Sequence, residues 1–290
     1  MQICYNQATG KDCSTLEADL ELCEQAGFDF IEMRTDMLRD YLARNSLDDL
    51  KRFFASNRLK PHTLDGFYLY PEFLGEHDDP ARRQALLDEF LMGLLVSKEI
   101  GIHYAVVVPP LIRDPKGPPY PGKWEDTRRE CVRILRRLSD IARFYEVRLC
   151  FEMVGFKRCG VRSIADAAVI VEEVDRDNVG YVFDSYNLYV YDQSNDFSAI
   201  RSVDPEKIFI AHINNADAAP ESEMGQDKRR FCDHGILDLG NFLENLKTAG
   251  YDGMLSIETF RPEYYAREPE WVIREAYRTT REAMERYEVW

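Results

Sequence analysis

The sequence predicts an α/β fold, because short apolar segments typical of β-strands alternate with longer amphipathic segments typical of helices along its whole length. Eight such apolar segments occur in 290 residues. Eight strand–helix units in a chain of this length are typical of a (β/α)8 TIM barrel, whose usual size is about 250 residues. An open, doubly wound sheet shows the same alternation and is the alternative architecture.

The predicted strands are short and rich in Val, Ile and Phe. They cover residues 3–5, 28–33, 59–64, 104–108, 147–153, 179–183, 207–213 and 254–257. The predicted helices cover residues 15–27, 46–57, 81–101, 126–145, 163–174, 239–250 and 270–287. Gly27, Gly101 and Gly250 stand at the ends of three of these helices, where glycine commonly terminates a helix. No linker divides the sequence, and we expect one barrel domain over residues 1–290.

Charge and composition disfavour several classes of partner. The formal net charge is −15, from 37 basic and 52 acidic residues, whereas nucleic-acid binders neutralise phosphates with clustered Lys and Arg. The seven cysteines form no Cys-x-x-Cys pair, as expected of free thiols in a reducing compartment. No segment reaches the ~18 apolar residues of a membrane span, and the first residues do not resemble a signal peptide. We therefore expect a cytoplasmic protein with neither a nucleic-acid nor a membrane partner.

The carboxyl ends of the predicted strands are rich in side chains that can do chemistry. In a barrel these ends line the mouth, where active sites are found. The residues at these ends are Asn6, Glu32, Arg34, His62, Asp65, Pro109, Glu152, Asp184, His212 and Glu258. A carboxylate or imidazole that ends a buried strand is costly unless another group satisfies it. One shared divalent cation would satisfy the last four residues of this set together.

Each of these four residues also has a simpler interpretation. A strand-end Asp or Glu often caps a helix or forms a salt bridge, and His212 alone could be a satisfied core histidine. The metal interpretation depends on four consecutive strands each ending in a potential ligand. Three carboxylates and one imidazole suit Mn²⁺, Co²⁺, Mg²⁺ or Zn²⁺, and this set is too rich in oxygen for a structural zinc site.

Two long loops are expected to belong to the functional site. Residues 111–123 are rich in Pro and Gly and follow the fourth predicted strand, and residues 214–234 follow the seventh. Long loops within a compact domain commonly act as lids or binding loops.

Several segments carry a resemblance to a known family. They include residues 8–35, residues 138–156, residues 207–214, and residues 238–265 with the motif FRPEYY. With these segments the sequence resembles the xylose-isomerase-like barrel superfamily of sugar isomerases and epimerases, and within it the inosose-isomerase branch of myo-inositol catabolism. The FRPEYY segment, preceded by Glu258, is the most specific of them to that branch.

The resemblance implies one divalent metal ion (Mn, Co, Zn or Mg) on Glu152, Asp184, His212 and Glu258. Members of the superfamily isomerise or epimerise polyols by moving a proton next to a carbonyl, through an enediolate. Glu152 and Glu258 are then the expected catalytic pair, one removing the proton and the other returning it. Which of the two is the base stays open at this stage.

Four further residues are expected to bind the substrate. Arg229 falls where the family has an arginine in the loop after the seventh strand, and its fixed donors suit hydroxyls or a carboxylate. Asn187 replaces a histidine that relatives often have three residues after the Asp. His234 lies in the sequence CDHG, which takes the place of a PGxG-like turn, and His62 stands where the inosose-isomerase pattern is apolar. A solvated Arg229 and a plain strand-end His62 are the alternatives.

The predicted function is a metal-dependent isomerase or epimerase of a small polyol, with an inosose (keto-inositol) isomerase first. A ketose 3-epimerase and a dehydratase of a cyclic keto-polyol, such as inosose or 3-dehydroshikimate, use the same metal and proton chemistry. A metal-dependent abasic-site endonuclease shares the barrel, but it needs further His and Asp ligands and a basic groove, which five histidines and a charge of −15 disfavour. The absence of a Gly-rich phosphate motif favours free polyols over sugar phosphates. Homodimers are common in this family.

Overall fold

The strands close into a barrel. A computed structural model describes residues 1–75 and 78–289. Its barrel strands are β1 (Gln2–Asn6), β2 (Phe30–Arg34), β3 (Lys60–Tyr68), β4 (Tyr104–Val108), β5 (Arg148–Glu152), β6 (Val179–Asp184), β7 (Ile208–Ile213) and β8 (Met254–Ile257). Neighbouring strands are parallel, and β8 pairs with β1 to complete the ring. The predicted (β/α)8 TIM barrel is therefore confirmed, and the open sheet is excluded.

Helices surround the barrel. They are α1 (Leu16–Ala26), α2 (Thr35–Leu42), α3 (Leu47–Ser56), α4 (Pro80–Ile100), α5 (Trp124–Ala142), α6 (Ile164–Val174), α7 (Ser185–Asp192), α8 (Leu239–Thr248), α9 (Pro262–Tyr265) and α10 (Pro269–Arg286). Each predicted helix corresponds to one of these. The short helices α2, α7 and α9 were not predicted. The sequence of α7, SYNLYVYD, is rich in Tyr and Val, which are weak helix formers, so its pattern carries little helical signal.

Local signals explain where several helices begin and end. The Ser46 and Ser163 hydroxyls each accept a hydrogen bond from the backbone N–H three residues later, in a capping box that starts α3 and α6. Gly27 and Gly101 follow α1 and α4 with φ of 108° and 84°, a conformation that glycine adopts at little cost. Asp184 ends β6 and also caps α7, because its side chain accepts from the Asn187 N–H. The turn from β6 into α7 thus fixes the position of this carboxylate.

Strand β3 is longer than predicted. The sequence pattern places it at residues 59–64, whereas the strand runs from Lys60 to Tyr68. Its pairing with β4 shifts register between Leu64 and Phe67, which lets the strand continue past the expected end. The mouth of the barrel is therefore reached at Tyr68 and not at His62.

The pairing register aligns polar side chains in layers inside the barrel. His212 of β7 is aligned with Asp184 of β6 and with Ser256 of β8. Glu32 of β2 is aligned with Asn6 of β1. Strand residues alternate between the two faces, so the neighbours of these residues point outward and pack beneath the helices. The barrel therefore keeps a polar interior at its carboxyl end and an apolar layer around it.

All seven cysteines are free, and Cys13 is the one that is not fully buried. Within residues 1–75 and 78–289, the helices are all too short or too polar to cross a membrane.

Substitution of Phe151 tests the packing of the apolar layer between the barrel and the helices. Its side chain is fully buried, whereas that of Phe144 is 80% exposed. We expect Phe151→Ala to lower the free energy of unfolding by about 3–5 kcal/mol, because it removes buried apolar surface and leaves a cavity. Phe144→Ala deletes the same atoms from solvent and should change stability by about 0.5 kcal/mol or less. Urea unfolding measures both, and equal losses would contradict the assigned packing.

Candidate metal centre

The four side chains predicted to share a metal ion lie together. Glu152 ends β5, Asp184 ends β6, His212 lies in β7 and Glu258 directly follows β8. One potential ligand atom from each residue lies within 4.8 Å of those of the other three. All four side chains are buried. The carboxyl end of the barrel therefore carries a compact group of three carboxylates and one imidazole.

Glu32, which lies on the side of His212 away from this group, sets the orientation of the His212 ring. Its Nε2 lies 3.1 Å from the Glu32 Oε2, and the Ser256 hydroxyl donates to the same oxygen at 2.7 Å. Its Nδ1 lies 3.6 Å from Glu152 Oε1 and 3.5 Å from Glu258 Oε2. No described residue forms a hydrogen bond with this buried Nδ1. A carboxylate that holds one ring nitrogen and turns the other toward a ligand set is typical of metal-binding histidines.

Charges within the cluster shift its pKa values in different directions. Burial by itself lowers the pKa of His212, but the carboxylates of Glu32 and Glu258 outweigh it and raise the pKa well above its ordinary value. Burial raises the pKa of Glu152. Burial also opposes ionisation of Glu258, yet the charges of His212 and Arg229 lower its pKa below the ordinary value. The two glutamates therefore have different electrostatic environments within one cluster.

Arg229 reaches into the cluster from the loop after β7. It is 1% exposed, and its Nη1 donates to Asp184 Oδ2 at 2.6 Å and to Glu258 Oε2 at 3.0 Å. Its Nε donates to the Gln226 side chain at 2.5 Å. The alternative of a solvated loop arginine is therefore wrong. The residue bridges two carboxylates of the cluster and also lines the adjoining cavity.

Asparagine side chains also donate hydrogen bonds to the carboxylates of the cluster. The Asn187 Nδ2 donates to Glu152 Oε1 at 3.0 Å, and the Asn214 Nδ2 donates to Asp184 Oδ2 at 2.9 Å. The Asn187 Oδ1 has no hydrogen-bond partner among the described residues, and Asn187 lines the cavity. Asn187 is thus placed where it was predicted, beside the cluster and in contact with the open space.

The donor set fits a divalent cation. Five buried carboxyl groups converge at this end of the barrel, those of Glu32, Asp65, Glu152, Asp184 and Glu258. Within the described chain, His212 and Arg229 are the fully buried cations that contact them. Burying carboxylates without enough positive charge is costly. Oxygen-rich sets with one imidazole are those that Mn²⁺, Co²⁺, Zn²⁺ and Mg²⁺ accept.

A cavity of about 870 Å³ opens onto this cluster. Glu152, Glu258, Asn187 and Arg229 line it together with parts of both loops predicted to be functional. The first loop contributes Leu111, Arg113 and Pro115, and the second contributes Gln226 and Asp227. Its size falls in the range of small-molecule sites, about 300–1,000 Å³.

The prediction that His62 binds substrate at a strand end is wrong. His62 is the third residue of β3, and its ring stacks on Tyr104 at 4.9 Å, at the start of β4. It adjoins a separate cavity of about 390 Å³ beside Lys60 and His103, not the cavity at the cluster. Burial lowers the pKa of His62 to about 4, so the ring is a neutral part of the barrel's amino-terminal layer. The register shift in β3 is the physical reason for the error.

The prediction that His234 lies near the pocket is also wrong. Its side chain is 64% exposed and lies 2.8 Å from the Asp233 carboxylate, and it is not among the residues that line the cavity. The chain around it is held by Ile236, whose N–H donates to the Ala216 carbonyl. The His234 side chain therefore points to solvent, although Arg229 in the same loop is buried.

Other residues of the site were not recognised from the sequence. Glu32 was noted at a strand end without a role, and Tyr68, Arg113 and Arg158 were not noted. A charged residue inside the apolar strand FIEMR was the available signal for Glu32. No local pattern marks the other three, because their positions depend on how β3 and two loops fold around the cavity.

The fold is a (β/α)8 barrel in which three carboxylates and a histidine gather at the ends of consecutive strands. These features define the class of the protein, a barrel with a candidate single-metal centre at its mouth. The chain belongs to the xylose isomerase-like TIM barrel family, whose model matches residues 20–283.

Relatives support this assignment over the full length. The chain is 36% identical over 288 residues to an inosose isomerase of Halalkalibacterium halodurans, covering 99% of this chain and 98% of the relative. It is 35% identical to an inosose isomerase of Bacillus subtilis, covering 99% of both chains. A solved structure of a protein called IOLI, with a binding zinc atom, is 34% identical with a TM-score of 0.88 and 99% coverage of both chains.

Arg229 tests the electrostatics of the cluster without any assay of activity. We expect Arg229→Gln to destabilise the chelator-treated protein by about 3–5 kcal/mol, because two buried carboxylates lose their shared cation. Its neighbour Arg230 pairs with Asp217 at a partly exposed position, so Arg230→Gln should cost about 1 kcal/mol or less. Urea unfolding after chelator dialysis gives both values. A loss for Arg229→Gln no larger than that of its neighbour would contradict the assigned ion pairs.

Proposed function

We propose that this chain is a metal-dependent isomerase of a keto-cyclitol, with an inosose as the first substrate to test. We propose that Glu152, Asp184, His212 and Glu258 hold one divalent ion. The observation that carries the proposal is the buried four-residue cluster at the floor of a cavity of small-molecule size. Supporting it are relatives named inosose isomerase that match the chain at 35–36% identity over 99% of its length.

A divalent ion bound by these residues would act as a Lewis acid, polarising the substrate carbonyl and stabilising negative charge on its oxygen. The zinc atom in IOLI supports a metal of this kind. Mn, Co, Zn and Mg all suit the donor set, and affinity and availability together decide which one is loaded.

Glu152 and Glu258 are the proposed proton-transfer pair. They come from the ends of β5 and β8, and both line the cavity, so a bound ring would contact both. One carboxylate removes a proton from the carbinol carbon next to the carbonyl, and a proton is returned to the former carbonyl carbon. The hydroxyl proton passes between the two oxygens, so the ketone moves by one carbon and the atoms balance.

The surrounding hydrogen bonds fix the two carboxylates for this task. The Asn187 Nδ2 holds one oxygen of Glu152, and Arg229 and Asn6 hold the two oxygens of Glu258 at 3.0 and 3.4 Å. The free Oδ1 of Asn187 is available to accept a hydrogen bond from a substrate hydroxyl. Arg229, which faces the same cavity, is the proposed contact to a substrate oxygen.

Proton exchange in D2O tests the proposed reaction. Protein stripped by chelator is reloaded with Mn²⁺, Co²⁺, Zn²⁺ or Mg²⁺ and added to 2-keto-myo-inositol or to free ketohexoses. We expect exchange beside the inosose carbonyl and a new ketone isomer, observed by NMR. Glu258→Gln should lower the rate by 100-fold or more, because general acid–base groups typically contribute 10²–10⁴-fold, roughly.

The control for this experiment is Glu263→Gln, at a carboxylate that is 68% exposed and paired with Arg261. It should retain the activity of the unchanged protein. Turnover of ketohexoses alone would make the protein an epimerase, and loss of water from the ring would make it a dehydratase. Absence of exchange with every polyol despite bound metal would contradict the isomerase proposal.

Glu32 tests the proposed metal centre independently of turnover. It lies beneath the cluster, is fully buried, and is hydrogen-bonded to the His212 Nε2. We expect Glu32→Gln to lower the affinity for Mn²⁺ or Zn²⁺ by about 10–100-fold, since such outer carboxylates orient a histidine ligand and raise its basicity. Calorimetric titration measures the affinity directly. Glu24, which accepts hydrogen bonds from the N–H groups of Arg58 and Leu59, provides the control variant Glu24→Gln with unchanged affinity.

A further inference from the structure

One wall of the cavity is built from stacked tyrosines and arginines. The rings of Tyr68 and Tyr70 stack with centroids 5.9 Å apart. The Arg113 guanidinium lies 3.9 Å from the centre of the Tyr68 ring, and that of Arg82 lies 4.9 Å from the centre of the Tyr70 ring. All four residues line the same cavity as Glu152 and Glu258. With Arg158, which lines the same cavity, they form what we call the arginine wall.

Arg158 is the most firmly fixed member of this wall. Its Nη1 donates to the carbonyls of Ile112 and Arg113, each at 3.1 Å, and its guanidinium lies 4.6 Å from the Phe156 ring. Its remaining donors form no hydrogen bond with any described residue. Burial lowers the pKa of Arg158, because the loss of solvent is not offset by a carboxylate partner. The side chain is thus held in place with unused donors.

The arginine wall differs from the other cations around the cavity. Arg34 pairs with Asp36 at 2.7 Å, Lys11 with Asp12 at 2.6 Å, and Arg229 with Asp184 at 2.6 Å. Arg82, Arg113 and Arg158, by contrast, form no ion pair within residues 1–75 and 78–289. Their guanidinium groups contact aromatic rings and, for Arg158, backbone carbonyls. The chain carries 52 acidic residues, so unpaired arginines in one cavity are not explained by a shortage of carboxylates.

Guanidinium groups held in this way are suited to bind an anion. Arg presents a planar set of donors that matches a carboxylate or a phosphate, often through two hydrogen bonds at once. Stacking on tyrosine rings and bonding to backbone carbonyls fix the groups before a ligand arrives, which lowers the entropy lost on binding. An anionic ligand would also supply the partner that three arginines lack.

We infer that the substrate of this cavity carries a carboxylate or phosphate group, which Arg158 and Arg113 bind while the keto-polyol ring lies at the Glu152–Glu258 cluster. The Tyr68 ring stacks on Arg113, and Tyr68 lines the same cavity as Glu152. Burial raises its pKa to about 12, so its hydroxyl stays protonated as a donor. This inference rests on the proposed function and narrows it, because the substrate becomes a keto-cyclitol with an acidic group, of which neutral 2-keto-myo-inositol is an analogue.

Calorimetric binding to the metal-loaded protein tests the inference. The probes are myo-inositol 1-phosphate, the cyclic hydroxy acid quinate, and neutral myo-inositol. We expect at least one anionic probe to bind 10-fold or more tightly than myo-inositol, and the probe that does so distinguishes phosphate from carboxylate. Arg158→Gln should lower this preference ratio about 10-fold or more, and Arg113→Gln, on an exposed loop, should lower it as well.

The matched control is Arg267→Gln. Arg267 also stacks on an aromatic ring, that of Trp271 at 5.3 Å, but it does not line the cavity, so the preference ratio should not change. Circular dichroism verifies the fold of each variant. Anionic probes that bind no more tightly than myo-inositol would overturn the inference, as would equal ratios in the Arg158→Gln and Arg267→Gln variants.

The binding experiment separates this inference from the proposed function, because it needs no turnover. Proton exchange in 2-keto-myo-inositol without any preference for anionic probes would show that the arginine wall does not bind the substrate. The isomerase proposal would be unaffected. An anion preference that depends on Arg158 would support anion binding by the arginine wall. If such a protein exchanged no proton of 2-keto-myo-inositol or of a keto-cyclitol that carries an acidic group, the isomerase proposal would be overturned.

Discussion

Five carboxyl groups meet at the carboxyl end of this barrel, and much of the architecture around them serves to offset their charge. Glu32, Asp65, Glu152, Asp184 and Glu258 are all buried, where unpaired carboxylates cost several kcal/mol each. His212 contacts Glu32, and Arg229 contacts Asp184 and Glu258. Asn187 and Asn214 donate hydrogen bonds to Glu152 and Asp184 but supply no charge. The remaining excess of negative charge is what makes a divalent cation the natural occupant, and it also explains why an arginine from a distant loop is drawn fully into the interior.

Strands and loops contribute to the site in different ways. Three cluster residues lie in β5, β6 and β7 and Glu258 directly follows β8, so their positions follow from the barrel itself. The arginine wall is built from the end of β3, the loop after β4, the loop after β5 and the start of α4. In the function we propose, the rigid part of the fold carries the chemistry and the variable part selects the ligand, a division that lets one barrel serve many substrates.

The sequence was sufficient for the barrel and for the convergence of the four cluster residues, since both follow from local pattern. Apolar segments mark strands, and parallel strands of one barrel bring their carboxyl ends together. His62 was misplaced because β3 ends four residues later than predicted, beyond a register shift against β4, and apolar pattern does not encode register. Glu32 had no assigned role because its partner His212 is 180 residues away along the chain. His234 and Arg229 lie in one loop with opposite exposures, which local composition does not distinguish.

The arginine wall shows why the absence of a Gly-rich motif was weak evidence against an anionic substrate. Such motifs bind phosphate through consecutive backbone N–H groups, so they leave a compact trace in the sequence. Here the donors are three guanidinium groups at positions 82, 113 and 158 that line one cavity. Arg113 and Arg158 stand on the loops after β4 and β5, which pair through the Leu111–Cys159 bridge. Arg158 depends on that contact directly, because its guanidinium is anchored on the carbonyls of Ile112 and Arg113. A recognition site assembled from side chains of separate loops can therefore change between relatives while the cluster of carboxylates and histidine below it stays the same. The arginine wall is thus the part of the site that we propose determines the specificity of the chain.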